Sequence, residues 1–318
     1  MRIGIVASAH GYGHATRDAV LARTLRARGH RVTLLSAAPP AVLGDDLDVV
    51  PLVADVGLVQ HDSLSEDLVA TRAQLDAFSL DAMQFSGLDR LVVDISPFAL
   101  EAARRAGVPT VAMGNFDWAW IYRHYPDLRR WAATFERWQA PHRAVSLAPG
   151  PGLHGFCEVV PGGLLARSAP PVRVASRAVL TCFGGFGMNA LDALLPELPG
   201  VTWVLAPPMP RLARADARYV DDVPFPALVA GADALFTKPG YGVLAEATVA
   251  GTPIVYLDRG AFPEAPFLEA QMRSRGDERV AAEPGAIAAG LARVWSRARP
   301  PAREGDDREA VADAVLSG

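Results

Sequence analysis

The residues able to do chemistry cluster in four short motifs. The first reads Ala9-His10-Gly11-Tyr12-Gly13-His14-Ala15-Thr16-Arg17 and follows a buried-looking apolar run. Gly11 and Gly13 let backbone N–H groups approach a ligand, and the helix start that follows favours negative charge. Thr16 occupies the place of the third glycine of a dinucleotide fingerprint, so a dinucleotide site is not expected. His14 stands at the mouth of this turn, where an imidazole can act as a general base near neutral pH or simply cap the helix. The second motif is Asp94-Ile95-Ser96-Pro97-Phe98. A carboxylate at a strand tip can hold an imidazole in one tautomer, but Asp94 could equally cap a helix that begins at Pro97.

The third motif, Phe183-Gly184-Gly185-Phe186-Gly187, is a second glycine turn, suited to a diphosphate or to a tight turn alone. The fourth and most specific runs Thr237-Lys238-Pro239-Gly240-Tyr241-Gly242-Val243-Leu244-Ala245-Glu246. Its helix-start amides can face phosphate. Glu246, about one turn in, can take both hydroxyls of a ribose or point to solvent. Lys238 is the single lysine among 31 basic residues, a compact mobile charge that arginine does not reproduce. Glu264, in Pro263-Glu264-Ala265-Pro266-Phe267, can bond sugar hydroxyls or lie at the surface. Phe116, Trp118, Trp120, Tyr122 and Tyr125 offer rings for an acceptor pocket, or for a core, and Asn115 stands beside them. No D-x-D cluster accompanies these motifs, so chemistry without a metal is expected.

The elements that must position them alternate in βαβ fashion. Strands are expected at 3–7, 31–35, 91–95 and 110–113, with helices at 14–28 and 97–105. An aromatic stretch at 118–138 reads as one or two helices over the sheet. Proline and glycine dominate 148–171, which reads as a linker. A second series follows, with strands at 178–183, 202–205, 234–237 and 254–257 and helices at 227–230, 242–249, 266–275 and 284–296. A short helix at 307–316 is placed to return to the first domain. Two doubly wound parallel-sheet domains, 1–165 and 166–318, are therefore expected. Each carries its motifs just after strands, where such sheets bind ligands.

Composition narrows the function classes. Half of the 318 residues are apolar and 21% are charged, as in a folded globular protein. A net charge of -4, with no Lys/Arg block, argues against nucleic acid. No uncharged run is long enough to cross a bilayer, and two cysteines make no disulfide framework, so a cytoplasmic protein is expected. Oligomeric state leaves no sign.

In this order the motifs resemble the GT-B nucleotide-sugar glycosyltransferases, including the MurG-like and plant UDP-sugar enzymes. The likeness is strongest to the glycosyltransferase-like N-terminal region of L-arabinokinases. It runs through Gly11–Arg17, Gly114-Asn115-Phe116-Asp117-Trp118, Lys238–Gly242 and Glu264–Leu268. The resemblance implies two Rossmann-like domains facing across a cleft. It also implies inverting, metal-independent transfer of a sugar from a nucleotide diphosphate, UDP foremost, to an acceptor hydroxyl. His14 would be the base and Asp94 its orienting partner. Gly184, Gly185, Gly187, Lys238, Gly240, Tyr241, Gly242 and Glu246 would hold the nucleotide, and Glu264 the donor sugar. Gly11, Gly13 and Arg17 would shape the first loop, and Asn115, Phe116 and Trp118 an acceptor pocket. No cofactor is implied beyond the nucleotide-sugar co-substrate. The Asp/Glu-Gln pair of the plant enzymes is here Glu264-Ala265, which leaves the sugar open. No kinase-type phosphate loop occurs in these residues, so sugar kinase activity is not expected. A nucleotide-sugar-binding regulatory module, or a 2-epimerase of the same architecture, are the alternatives.

Overall fold

The computed structural model describes residues 1–62, 65–184, 188 and 191–317. The chain forms two compact units, 1–59 with 66–165 and 307–318, and 60–65 with 166–306.

In the first unit, β1 (Arg2–Val6) leads through α1 (Tyr12–Ala27) to β2 (Arg31–Ser36), α2 (Pro40–Leu43) and β3 (Asp48–Pro51). Residues 60–65, which group with the second unit, carry most of a short pair, β4 (Gln60–Asp62) and β5 (Ser65–Glu66), and α3 (Leu68–Ala77) follows. The chain then returns through β6 (Arg90–Asp94), α4 (Pro97–Ala106) and β7 (Thr110–Gly114). Next come α5 (Trp118–Arg123), a single 3-10 turn, α6 (Arg129–Gln139), β8 (Arg143–Leu147) and β9 (Glu158–Gly163). The seven-stranded parallel sheet has the order β3-β2-β1-β6-β7-β8-β9. The order reverses between β1 and β6, and the crevice beyond their C-terminal ends is where such sheets receive ligands.

Both faces of this sheet are covered, which is why its central strands are continuous apolar runs. On one face Leu21 and Leu25 of α1 pack with Ile3, Ile5, Leu34 and Val92. On the other, Phe98 stacks on Phe78 with centroids 4.2 Å apart and meets Phe135 and Trp138 edge-on.

The second unit repeats the plan. Its strands are β10 (Ala178–Cys182), β11 (Thr202–Leu205), β12 (Ala217–Tyr219), β13 (Ala234–Thr237), β14 (Ile254–Leu257) and β15 (Glu278–Val280). They form a parallel sheet in the order β12-β11-β10-β13-β14-β15, with the reversal between β10 and β13. Around it lie α7 (Leu191–Leu194), α8 (Phe225–Gly231), α9 (Tyr241–Ala250), α10 (Ala265–Ser274) and α11 (Pro284–Trp295). Phe183, Trp203 and Phe236 centre one face, and Leu180, Leu235, Leu244 and Leu268 the other.

One segment and one domain bound depart from the sequence reading. The helix expected to return to the first domain does so: α12 (Arg308–Leu316) buries Val311, Ala312 and Val315 in the first core, so the 166–318 bound gives way at residue 307. Arg28, at the C-cap of α1, fastens α12 by ion pairs to Glu309 and Asp313. Pro161-Gly162-Gly163, read as linker, belongs to the edge strand β9. An edge position tolerates proline, and a Cβ on Gly162 would lie 2.5 Å from Val145 Cγ1.

The tip of β6 holds the one described non-glycine residue with positive φ, Ile95 at 53°. A β-branched residue in that region is strained, and its side chain is accommodated only because β7 ends in glycine. A Cβ on Gly114 would sit 2.1 Å from Ile95 Cγ2. Gly114→Ala is therefore expected to lower unfolding free energy by about 1–3 kcal/mol in a denaturant titration. An unchanged midpoint would show that the β6 tip is looser than this packing implies.

Candidate functional site

In the first unit, β1 and β6 deliver His14 and Asp94 to opposite sides of the strand-order reversal. Gly11, with φ 77°, makes the turn after β1 that only glycine adopts readily, and it precedes α1 without any side-chain cap. The first amides of α1 thus lack a capping side chain, the arrangement that suits an anion. Thr16 turns back on the Gly13 carbonyl at 3.2 Å.

The side chains of this turn form one buried network. His14 Nδ1 lies 3.0 Å from Asp94 Oδ2. Arg17 grips the same carboxylate bidentately, Nε to Oδ2 at 2.9 Å and Nη2 to Oδ1 at 2.5 Å. Its Nη1 donates to Asn115 Oδ1, and Asn115 Nδ2 in turn donates to the Pro149 carbonyl at 2.8 Å. Gly150 lets that loop approach, since a Cβ there would lie 2.3 Å from the Asn115 carbonyl oxygen.

Asp94 is completely buried. Burial alone would push its carboxyl up, but the Arg17 charge, then His14 and their hydrogen bonds, hold it below the usual carboxylate range. It is therefore an ionised acceptor. Arg17 Nη2 also lies 2.9 Å from His14 Nδ1, so two tautomers are compatible with the heavy atoms. If Nδ1 carries hydrogen it donates to Asp94 and leaves Nε2 able to accept a proton. If Nδ1 accepts from Arg17, Nε2 already holds the proton.

The capping alternative for Asp94 is excluded. Ser96 is the N-cap of α4, accepting from Ala99 N at 3.1 Å and donating to the Ala54 carbonyl at 2.6 Å, with Pro97 at the first helical position. Behind the first loop, buried Asp55 accepts from Ala9 N at 2.9 Å and Trp118 Nε1 at 3.2 Å. Sequence reasoning missed this residue. Phe116 and Trp118, candidates for an acceptor pocket, are at most 2% exposed. Their rings pack edge-on to each other at 5.3 Å, and Phe116 meets His14 at 6.0 Å. They brace the network; no ring face is open to solvent.

In the second unit the motifs expected to hold a nucleotide lie across the corresponding reversal. Gly184, with φ 69°, follows β10, and a Cβ there would come 3.9 Å from Lys238 Cε after β13, so the two loops adjoin. Gly185 and Gly187 lie outside the described residues. Gly240 precedes α9 with extended backbone and no side-chain cap, and Tyr241 and Gly242 open the helix.

Glu246 is buried rather than solvated, and Arg167 Nε donates to its Oε1 at 2.6 Å. Burial raises the Glu246 carboxyl while Arg167 opposes the rise. Arg167 also lies over the Phe225 ring, 5.5 Å from its centroid. Glu264, just before α10, is likewise buried and accepts from Arg259 Nη1 at 3.0 Å, and Arg259 stacks 3.7 Å from the Phe262 centroid. Neither arginine was singled out from the sequence; only the fold brings Arg167 to a carboxylate 79 residues away. Among the described residues no group of three or more His, Cys, Asp or Glu side chains could hold a metal ion, and no helix is long and apolar enough to cross a membrane.

No protein-family model matches the chain. L-arabinokinase of Arabidopsis thaliana is 28% identical over 298 residues, 81% of this chain, and the chain spans only 28% of that protein's length. Solved glycosyltransferases share the fold over nearly the whole chain. The kitacinnamycin glycotransferase superposes with TM-score 0.64 at 19% identity, covering 99% of this chain and 93% of that one. The glycosyltransferase VinC, in complex with dTDP, superposes with TM-score 0.60 at 17% identity, covering 99% and 94%. Two parallel-sheet α/β domains of the GT-B type are thus the architecture of this chain.

The Arg167–Glu246 contact can be weighed directly. Removing the cation strands a buried carboxylate, so Arg167→Met should cost about 1–3 kcal/mol. Glu246→Gln in that background should recover part of the loss, giving a coupling well above 0.5 kcal/mol, roughly the limit of additivity for independent sites. Additive effects in the double-mutant cycle would show that the pair does not set the charge of Glu246.

Proposed function

We propose that this chain is an inverting, metal-independent glycosyltransferase that moves a sugar from a nucleotide-diphosphate donor to an acceptor hydroxyl. The observation that carries the reading is the buried His14–Asp94–Arg17 network at the strand-order reversal of the first sheet. Likeness in fold to solved glycosyltransferases supports it.

In this reading His14 carries hydrogen on Nδ1, donated to Asp94, and Nε2 takes the acceptor proton as the acceptor oxygen attacks the anomeric carbon. Asp94 stays ionised and stabilises the imidazolium that forms, while Arg17 holds the carboxylate in place. The bond from the anomeric carbon to the diphosphate oxygen breaks, and its electron pair leaves with the nucleotide. Lys238, the Gly184 turn and the uncapped start of α9 would stabilise that charge, the largest expected catalytic contribution. Glu246 would take the ribose hydroxyls, sharing its carboxylate with Arg167, and Glu264 would bond the sugar from the place Arg259 gives it. UDP is the donor nucleotide we favour. VinC is solved with dTDP, so thymidine donors belong in the same test.

That test is a thermal-shift titration with UDP, GDP, dTDP, ADP and their sugars, repeated on Glu246→Ala. A ligand specific to the folded state adds about 2.7 kcal/mol at a hundredfold excess over its Kd. One nucleotide should shift the transition and lose most of its effect in the variant. No shift with any nucleotide would overturn the reading. A shift without donor turnover would leave a nucleotide-sugar-binding module instead.

A further inference from the structure

One buried acid in the network has no task in the mechanism above. Asp18 follows Arg17 on α1, one helical turn after His14, and is 0% exposed. Neither of its carboxyl oxygens receives an N–H or O–H from the described residues. The carboxyl group it interacts with is that of Asp94. Two carboxylates offer each other lone pairs and no hydrogen, so this contact is a hydrogen bond only with a proton between them.

Charge counting reaches the same point. Arg17 supplies one permanent positive charge, and its donors go to Asp94 and Asn115. Two ionised carboxyls beside one guanidinium would leave a buried negative charge, or force His14 to stay protonated and useless as a base. One neutral carboxyl removes both difficulties. Asp94, held by Arg17, keeps the charge, and Asp18 takes the proton. Burial first, then the Asp94 charge, push the Asp18 carboxyl well above its usual range, against the pull of Arg17.

We propose that Asp18 is a neutral acid that donates its proton to the Asp94 carboxylate, a positioning residue that keeps Asp94 aimed at His14 and Arg17. It touches no substrate; it fills the acceptor capacity of Asp94 not used by Arg17 and His14. The catalytic part of the inference rests on the transferase reading, whereas the protonation state does not.

The experiment has two arms. In the first, thermal unfolding of wild type and Asp18→Asn is followed from about pH 4 to pH 8. A folded-state acid with a raised pKa holds a proton that the unfolded chain releases, so its contribution falls as pH rises above the unfolded value. Asparagine does not titrate. The transition of Asp18→Asn should therefore gain on wild type progressively as pH rises from about 4, where an unfolded aspartate ionises. Parallel curves across the range would overturn the proposal whatever the protein's activity. In the second arm, Asp18→Ala should lower kcat by about tenfold or more with donor KM unchanged, as expected for loss of a hydrogen bond to a charged group. Asp18→Asn, which keeps a neutral donor, should restore most of that loss and leave the acid limb of the kcat/KM profile in place. Asparagine failing to rescue, or an acid limb moved to lower pH by loss of a real negative charge, would contradict it. Absence of any turnover in wild type would count against the transferase reading alone, because the first arm decides the proton without substrate.

Discussion

Everything at the first site depends on keeping the charge of Asp94 alive in a place without water. Burial opposes an ionised carboxylate, and the chain answers with a bidentate guanidinium from Arg17, an imidazole from His14 and a strand tip that cannot move freely. Ile95 in its positive-φ conformation, Gly114 beneath it and Ser96 capping α4 together fix where Asp94 points. Arg17 reaches on to Asn115, and so ties α1 and β6 to the loop after β7. A carboxylate held this way can orient a histidine and stabilise its positive charge without moving during the reaction. That is the kind of preorganisation that makes electrostatic catalysis effective.

Both units use the same topological opportunity. Where strand order reverses, the loops leaving adjacent strands diverge to opposite faces and leave space for a ligand. In the first unit that point carries His14 and Asp94, and in the second Gly184, Lys238 and Gly240. Charged partners distinguish the two. The first concentrates its ions in one network, whereas the second distributes them as separate buried pairs, Arg167–Glu246 and Arg259–Glu264.

Much of this plan was legible because it is local. The central strands are short apolar runs bounded by turns, Asp94 and Lys238 stand at strand ends, and His14 and Glu246 lie in the helices that follow, in the sequence as in the fold. What escaped is non-local or disguised. Edge strands β3 and β12 are short and exposed, and β9 is hidden beneath Pro161-Gly162-Gly163, so no apolar pattern marks them. Asp18 looks like a solvated helix residue beside Arg17, and only packing of α1 on two sides reveals it as buried. Asp55, Arg167 and Arg259 gain meaning from the atoms they meet. For Asp55 and Arg167 those atoms lie 46 and 79 positions away, and no spacing rule connects them.

The central claim is that a buried carboxylate makes His14 a base for glycosyl transfer. It is tested most directly by Asp94→Asn, assayed for release of nucleoside diphosphate from whichever nucleotide-sugar stabilises the wild-type protein. Loss of the charge with its shape retained should leave donor Kd unchanged and reduce turnover by at least about a hundredfold, the lower range of general-base contributions. Full turnover in a folded, donor-binding Asp94→Asn protein would contradict the account.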